Sequence, residues 1–207
     1  MLEIGPGGNL GPMLLFLSAG FDRGVCLDIT PLLSDQSELY KAMIPNADSL
    51  LEQIEYRCPE GIETSTLADV SFDLIYSAAC LEHVLDPAAT IRRIYRLLKP
   101  GGVTTHSIDL RDHRDFSDPL GFLRYPPWAW TAASSRRLAG NRWRASDWAE
   151  GFIAAGFTNV DVESHESVDV SEGERAVMHR AFRPKSLVDL GVTLINVTGT
   201  KPSDASP

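Results

Sequence analysis

A glycine-rich turn and an aspartate downstream of it are the first residues here whose types and spacing point to chemistry. The turn, Glu3-Ile4-Gly5-Pro6-Gly7-Gly8-Asn9, joins an apolar segment to a helical one that starts at Leu10. Glycines let the backbone pass close to a ligand, and a helix N-terminus offers unpaired N–H groups to a carboxylate or phosphate. Asp28 follows Gly7 by 21 residues, a spacing that suits a carboxylate accepting both hydroxyls of a ribose. Together they predict a ligand that contains a nucleoside.

The turn leaves two nucleoside ligands open, a dinucleotide and S-adenosylmethionine. A dinucleotide-binding loop has a third glycine three residues after Gly7, where the helix packs against the strand. Leu10 occupies that position. The interpretation as an NAD-dependent oxidoreductase is therefore weakened.

A second polar group, His106-Ser107-Ile108-Asp109-Leu110-Arg111-Asp112-His113, lies where the fifth predicted strand ends. Period-two alternation places His106, Ile108 and Leu110 on one face if the strand persists. Asp109 and His113 are candidates for a general base oriented by a carboxylate. The same stretch holds metal-ligand atoms, but its spacing matches no metal signature, so we expect no metal.

His83 is the third catalytic candidate, since it follows the fourth predicted strand. The alternative is that Glu82 and His83 only fix the start of the next segment by hydrogen bonds. Both interpretations place them at the carboxyl end of the sheet, where an open α/β fold binds its ligand.

The elements that must position these residues follow an α/β pattern, in which apolar runs of strand length alternate with helical segments. This predicts a mostly parallel sheet with helices on both faces. The predicted strands are residues 1–4, 24–29, 54–56, 72–76, 103–108, 157–164 and 187–198. The predicted helices are residues 10–19, 33–44, 47–53, 87–98 and 147–155, the last with Ser146 as its N-cap.

Composition limits the class of protein. The 207 residues, 43% of them hydrophobic, suffice for one ordinary globular core. With 28 acidic against 19 basic residues the net charge is −9, which argues against a nucleic-acid partner, because that affinity comes mostly from Lys and Arg. No apolar run approaches the roughly 20 residues that span a bilayer, and no signal peptide is evident, so we expect a cytoplasmic protein without a membrane partner.

The sequence resembles the class I S-adenosylmethionine-dependent methyltransferases, in particular the type 11 methyltransferase domain family. Four segments carry the resemblance: the first motif at residues 2–8, the ribose-binding acid at Asp28, the fourth strand with its Leu81-Glu82-His83-Val84 exit, and the Leu97–Gly102 turn before the fifth strand. The resemblance implies a Rossmann-like seven-stranded sheet with an antiparallel C-terminal strand pair, and S-adenosylmethionine as cofactor.

The resemblance also implies roles at matching positions. Gly5 and Gly7 would lie beside the methionine part of the cofactor, with Glu3 supporting its amino group. Asp28, with Ile29 next to it, would bind the ribose. Ser77 and Ala78, at the exit of the fourth strand, would line the methionine side.

Residues 1–200 are thus predicted to form a methyltransferase domain, followed by a flexible tail at 201–207. Residues 110–145 are predicted to be an acceptor lid or insertion loop, with Tyr125, Trp128 and Trp130 as an apolar wall. The alternative is that these aromatic residues only pack the loop onto the body. Arg111, Arg114 or Arg124 would hold an anionic group, and Arg136, Arg137, Arg142 and Arg144 add to the local positive charge.

The acceptor is therefore expected to be a small molecule or of glycan type. The alternative function is a methyltransferase-like binding or partner subunit without catalysis. The chain starts inside its first strand, so the loop or a second subunit is expected to help close the pocket, unless the start is truncated or the pocket is open and weak. A homodimer is compatible with this expectation.

Overall fold

The computed structural model describes residues 1–133 and 140–203. The strands are β1 (Leu2–Ile4), β2 (Gly24–Leu27), β3 (Ile54–Arg57), β4 (Phe72–Ala78), β5 (Leu98–Asp109), β6 (Thr158–Ser167) and β7 (Val192–Thr200). The helices are α1 (Gly11–Ser18), α2 (Ser37–Met43), α3 (Ala47–Leu51), α4 (Pro87–Leu97), α5 (Pro127–Ala133), α6 (Ala145–Ala154), α7 (Glu172–Val177) and α8 (Leu187–Gly191). Short 3₁₀ turns occur at Ile62–Thr64, Leu81–His83 and Gly121–Arg124.

The described strands form a seven-stranded sheet in the order β3-β2-β1-β4-β5-β7-β6. The first five strands run parallel, and β7 pairs antiparallel with both β5 and β6. This confirms the predicted Rossmann-like α/β fold and its antiparallel C-terminal pair. Because the parallel strands end at one edge of the sheet, the residues that follow β1, β2, β4 and β5 meet there.

Apolar side chains cover both faces of the sheet. Along β2, Val25 and Leu27 belong to one buried cluster and Cys26 to another, so the two clusters lie on opposite faces. Residues of α4 and α6 complete the first cluster, and residues of α1, α2 and α3 complete the second. The helices thus hold the carboxyl edge of the sheet in place from both sides.

The predicted loop at 110–145 contains regular structure, namely the 3₁₀ turn at Gly121–Arg124 and helix α5. Pro127 occupies the first position of α5, where the missing N–H of proline costs no helical hydrogen bond. Phe122 and Trp130 form a third buried cluster with Met178 and Phe182 from the C-terminal part of the chain. The segment is therefore packed against residues 178–190.

Two predictions about the C-terminal half were wrong. Residues 187–191 form helix α8 instead of the start of a strand, because the Ser186 hydroxyl accepts the N–H of Asp189 and caps a helix there. Ser146 does not cap α6, which begins after Arg144 with the Arg144 N–H bonded to the Asp147 carboxylate. Ser146 instead donates from both its N–H and its hydroxyl to Asp189.

The predicted tail is anchored at its first residue. Lys201 is buried, and its ammonium donates to the carbonyls of Tyr95 and Leu98 at the end of α4. Residues 204–207 lie outside the described residues. Among residues 1–133 and 140–203, no helix has the length and apolar character that crossing a bilayer requires.

Candidate active site

A cavity of about 470 Å³ lies at the carboxyl edge of the sheet. Its walls come from the end of β1 with Gly5, from residues 27–29 after β2, from residues 60–63 after β3, and from Cys80 and residues 83–86 after β4. The volume falls in the range of roughly 300–1,000 Å³ that small-molecule sites occupy. The lining is mostly apolar, with the carboxylates of Asp28, Glu60, Glu63 and Asp86 and no lysine or arginine.

The glycine turn and Asp28 are joined by a hydrogen bond. The Gly7 N–H donates to Asp28 Oδ2 at 3.0 Å, and the Thr30 N–H donates to Oδ1 at 2.8 Å. Gly5 and Gly7 have φ of +70° and +63°, a left-handed conformation that favours glycine. A Cβ on Gly5 would lie 2.7 Å from Cys80 Sγ, so the turn is closely packed against the exit of β4.

The predicted cofactor residues do not all face this cavity. Gly5, Asp28 and Ile29 line it. Glu3 is buried on the other side of the sheet, where its carboxylate accepts from Cys26 Sγ at 3.6 Å and burial raises its pKa. Ser77 is buried and Ala78 is exposed, and neither belongs to the cavity wall.

His106 holds the Ser77 hydroxyl inside the core. His106 Nδ1 lies 2.7 Å from Ser77 Oγ, and Nε2 lies 2.6 Å from Thr104 Oγ1. Thr104 donates its single hydroxyl proton to the Ile75 carbonyl, so Nε2 carries the histidine proton and Nδ1 accepts from Ser77. Complete burial lowers the pKa of His106 to about 3, so this residue is a neutral part of the core.

The three predicted catalytic residues come together beside the cavity. His83 lines the cavity, and its ring lies 5.0 Å from that of His113 in an edge-to-face arrangement. His113 Nε2 lies 3.3 Å from Asp109 Oδ2, although the two are not aligned for a hydrogen bond. Burial, with a smaller contribution from His113, lowers the pKa of His83.

Asp109 is bound more tightly by Arg111 than by His113. The Arg111 guanidinium donates to both carboxylate oxygens at 2.6–3.1 Å, and its backbone N–H donates to Oδ1. Burial alone would raise the pKa of Asp109, but the bonds from Arg111 outweigh this and lower it. Asp109 is therefore an anion at neutral pH.

Glu82 lies in the same cluster and was not predicted to take part in catalysis. Its side chain is 4% exposed, and neither carboxylate oxygen accepts a hydrogen bond from the described residues. Burial, with a smaller contribution from Asp109, raises the pKa of Glu82 to about 8. The Glu82 carboxylate therefore contributes none of the hydrogen bonds expected to fix the next segment, whereas the Glu82 carbonyl accepts from the Asn141 N–H.

The arginines predicted to hold an anionic group are already paired. Arg111 bonds Asp109, Arg114 bonds Asp112 through two nitrogens at 3.0 Å, and Arg124 contacts Asp118 at 2.8 Å. Arg136 and Arg137 lie outside the described residues. Within the described ranges, no group of three or more His, Cys, Asp or Glu residues is arranged to hold a metal ion.

The aromatic residues of the segment divide into packed and exposed ones. Trp130 is buried, its indole N–H donates to the Gly140 carbonyl, and the Arg114 guanidinium lies 4.0 Å from its ring. Trp128 and Tyr125 are 75% and 50% exposed. The alternative that the aromatics pack the loop onto the body therefore holds for Trp130, and the proposed three-residue wall does not form.

Sequence reasoning missed Cys80 and residues 61–63 as cavity walls. The run Ser77-Ala78-Ala79-Cys80 is composed of small residues, which is the signal of a close approach between two backbone segments. Glu60 lines the cavity, but its carboxylate accepts from the Thr66 N–H at 2.9 Å.

Comparison with known proteins identifies the class of fold and site. Residues 1–162 match the family described as "Methyltransferase domain". The chain belongs to this methyltransferase family. The match confirms the resemblance and overturns the alternative of an NAD-dependent oxidoreductase.

Among curated relatives, the ubiquinone biosynthesis O-methyltransferase of Neisseria meningitidis is 31% identical over 108 residues, which are 52% of this chain and 42% of that protein. The chain thus spans less than half the length of the relatives it matches. The YcgJ protein of Bacillus subtilis has a similar fold, with a TM-score of 0.58 and 16% identity over 98% of this chain and 92% of that one. Phosphoethanolamine N-methyltransferase 2 of Haemonchus contortus, solved with S-adenosyl-L-methionine, gives a TM-score of 0.58 and 17% identity over 98% of this chain and 48% of that one.

The residues that line this cavity fit the chemical groups of S-adenosylmethionine. Asp28 is kept in place by two backbone N–H groups and still faces the cavity, so it can accept from ribose hydroxyls. Leu27, Ile29 and Ile62 offer apolar surface to an adenine ring. Four acidic residues and no lysine or arginine line the cavity, which suits a ligand with a sulfonium and an ammonium group and opposes a pyrophosphate.

Proposed function

We propose that this protein transfers the methyl group of S-adenosylmethionine to an oxygen or nitrogen of a small, uncharged acceptor that binds beside His83 and His113. The observation that carries the proposal is the contact between the cofactor cavity and the group formed by His83, His113 and Asp109. His83 lines the cofactor cavity and contacts His113, which lies next to the Asp109 anion. A nucleoside site and an acid–base site therefore meet at one edge of the sheet.

When bound, S-adenosylmethionine supplies a methyl group on a positively charged sulfur. An acceptor held beside His83 and His113 would receive this methyl group in line, and positioning would provide much of the acceleration. The proton that the acceptor loses moves to a nitrogen of His113. The Nε2 atom faces Asp109, so Nδ1 is the nitrogen we assign as base, and Asp109 stabilises the imidazolium that forms.

The cofactor roles that we propose involve the cavity wall and residues next to it. Asp28 binds the ribose, Ile29 packs on the adenine, and Gly5 and Gly7 let the backbone approach the methionine part. Glu3 acts only indirectly, by supporting the turn from the other face of the sheet. Ser77 and Ala78 contribute backbone groups, since the Ser77 hydroxyl is committed to His106.

The charge pairing of residues 109–124 supports an uncharged acceptor. Each of Arg111, Arg114 and Arg124 is already matched by a carboxylate, so none offers its charge to a phosphate or carboxylate on an acceptor. Phe116, 63% exposed, stacks on His113 with ring centroids 5.9 Å apart and presents an aromatic surface next to the base. This surface favours a planar or apolar acceptor over a glycan-type one.

Calorimetry with S-adenosylmethionine, S-adenosylhomocysteine and NAD tests the cofactor, with Asp73→Asn as a matched exposed control for Asp28→Asn. We expect both sulfur compounds to bind, NAD not to bind, and only Asp28→Asn to weaken binding. Absence of binding by either sulfur compound at millimolar concentration would refute the proposal.

Methyl transfer is then measured with catechol, aniline and glycine as oxygen, nitrogen and charged probes. Turnover of catechol or aniline that is lost in His113→Ala is the expected result. Full turnover in both His113→Ala and Asp109→Ala would exclude the base. Cofactor binding without turnover on any probe would favour the alternative of a binding or partner subunit.

A further inference from the structure

Two arginines of α4 differ from almost all other basic residues of the protein. In residues 1–133 and 140–203, the basic side chains contact a carboxylate or donate to a backbone carbonyl, except for those of Arg92, Arg96 and Arg180. All three are exposed. Arg92 and Arg96 are four residues apart, so they lie on one face of α4 with their Cβ atoms about 5–6 Å apart. Two unpaired guanidinium groups are therefore neighbours in a protein whose net charge is −9.

Both arginines line a cleft of about 420 Å³. Its walls are residues of α4 between Ala89 and Arg96, Glu63 in the 3₁₀ turn that follows β3, and Ala155 at the end of α6. The volume lies in the range of roughly 300–1,000 Å³ that small-molecule sites occupy. Tyr95 adds an aromatic side chain to the wall. The cleft therefore has room for a small organic molecule and not only for an inorganic ion.

The charges around this cleft favour an anion. Arg93 also lines it, and its buried guanidinium is held by Asp69 at 2.5 Å. The Lys201 ammonium lies 4.8 Å from the centroid of the Tyr95 ring. Glu63 contributes a carboxylate to the wall. In the described part of the chain, four basic residues thus line the cleft or contact its lining, against two carboxylates, so its potential is positive.

The number of available donors indicates the kind of anion. Each guanidinium has five N–H donors in a planar fork and binds a carboxylate or phosphate through two parallel hydrogen bonds. One fork is enough for the two oxygens of a carboxylate. A phosphate monoester has three terminal oxygens and carries about two negative charges near neutral pH, which matches two arginines. Its organic part would occupy the remaining space beside Tyr95.

We propose that this cleft binds a phosphorylated small molecule, whose phosphate is held by Arg92 and Arg96. Among the described residues, only Glu63 lines both this cleft and the cofactor cavity. The phosphorylated ligand therefore binds outside the cofactor cavity and is not the methyl acceptor. This site does not depend on the proposed function, because none of the residues assigned to methyl transfer takes part in it.

The test titrates the ¹⁵N-labelled full chain, without cofactor, with phenyl phosphate, inorganic phosphate and benzoate, and follows the amide signals by NMR. We expect phenyl phosphate to bind saturably at millimolar concentration or below and more tightly than either other probe, with shifts centred on residues 89–96 and on Ala155. Equal affinity for benzoate would refute the choice of a phosphate, and equal affinity for inorganic phosphate the choice of an ester. Shifts centred on Gly5 and Asp28 would place the ligand in the cofactor cavity and overturn the proposal.

Variants then assign the binding to the two arginines. The double variant Arg92→Gln, Arg96→Gln should weaken phenyl phosphate binding about tenfold or more, because hydrogen bonds to a charged group are lost. The double variant Arg92→Lys, Arg96→Lys keeps the charge but not the planar fork, so it should also bind more weakly than the wild type. Arg180→Gln, which removes an equally exposed and unpaired charge elsewhere, is the matched control and should bind like the wild type. Unchanged affinity in the glutamine double variant, or an equal loss in Arg180→Gln, would contradict a site at this cleft.

Discussion

Acidification should destabilise this fold through His106. The histidine is fully buried, and both ring nitrogens are engaged by the hydroxyls of Ser77 and Thr104. Burial lowers its folded-state pKa to about 3, from 6.5 in the unfolded chain. Between these two values the unfolded chain binds a proton that the folded chain does not, so stability falls as the pH falls.

The magnitude follows from the two pKa values. At pH 4.5 the pH is two units below the pKa of the unfolded histidine, which is therefore protonated. The folded histidine is still neutral at this pH. At about 1.36 kcal/mol per unit, this histidine removes about 2.7 kcal/mol of unfolding free energy between pH 7.5 and 4.5. The full effect, about 5 kcal/mol, is reached only below pH 3.

Urea unfolding at pH 7.5 and 4.5 measures this loss against the His106→Gln variant. Glutamine can accept from Ser77 and donate to Thr104, as the assigned tautomer does, but it cannot ionise. Carboxylates elsewhere contribute equally to both proteins, so the variant should lose about 2–3 kcal/mol less than the wild type over this interval. The control His165→Gln, at a partly exposed position, should lose as much as the wild type. Equal losses in wild type and His106→Gln would refute the reasoning.

Three further predictions concern the site and its support. Asp28→Asn should weaken S-adenosylhomocysteine binding about tenfold or more in calorimetry, since a hydrogen bond to a charged group contributes roughly 1.5–3 kcal/mol; unchanged affinity would contradict its role. Gly5→Ala should lower the unfolding free energy by roughly 1–3 kcal/mol, because its φ is +70° and the new Cβ meets the Cys80 sulfur. Adding Cys80→Ala to Gly5→Ala should restore only the part of the lost unfolding free energy that comes from the clash with the sulfur. Full restoration in denaturant titrations would exclude backbone strain. Arg144→Met should lower the melting temperature markedly, since three backbone carbonyls lose a buried donor at about 1–3 kcal/mol each; an unchanged melting temperature would contradict this.

The edge of the sheet at which the glycine turn and Asp28 lie could be predicted because its signals are local. A glycine turn after a strand has few conformations, and the interval to Asp28 is set by one helix and one returning strand. The structure joins the Gly7 N–H to the Asp28 carboxylate for this reason. The shared face of His106 and Ile108 also followed from alternation along a strand, and both are fully buried.

The errors occurred where distant contacts override local preference. Ser146 has the composition of an N-cap, but Asp189, 43 residues away, binds both of its donors. Arg144 is a charged residue in a loop by sequence, yet it is fully buried and donates to carbonyls at the ends of β5 and α8 and the start of β7. The start of α8 had a readable Ser-x-x-Asp signal, which the apolar residues of 187–191 obscured, and the start of α7 had a readable Ser-x-x-Glu signal that was missed.

The pairing of the arginines was not predicted, because Asp109 and Asp112 were interpreted as base, metal-ligand or solvated loop residues and not as parts of a repeated turn. Asp109, Asp112 and Asp115 recur every three residues, and each accepts the backbone N–H two positions ahead. Such turns are a local preference of aspartate. In the first two turns the residue two ahead is an arginine, whose guanidinium returns to the same carboxylate.

This repeat explains why the arginines near the proposed acceptor site do not make it a site for anions. In each Asp-x-Arg turn the aspartate and the arginine form an ion pair with each other. The arginines of this segment therefore stabilise the residues that follow β5 and leave no unpaired positive charge for a ligand. The turns place His113 between the two pairs, beside the anionic Asp109 and against His83. A neutralised scaffold around one imidazole suits the removal of a proton from an uncharged acceptor, because a free guanidinium nearby would disfavour the imidazolium that forms.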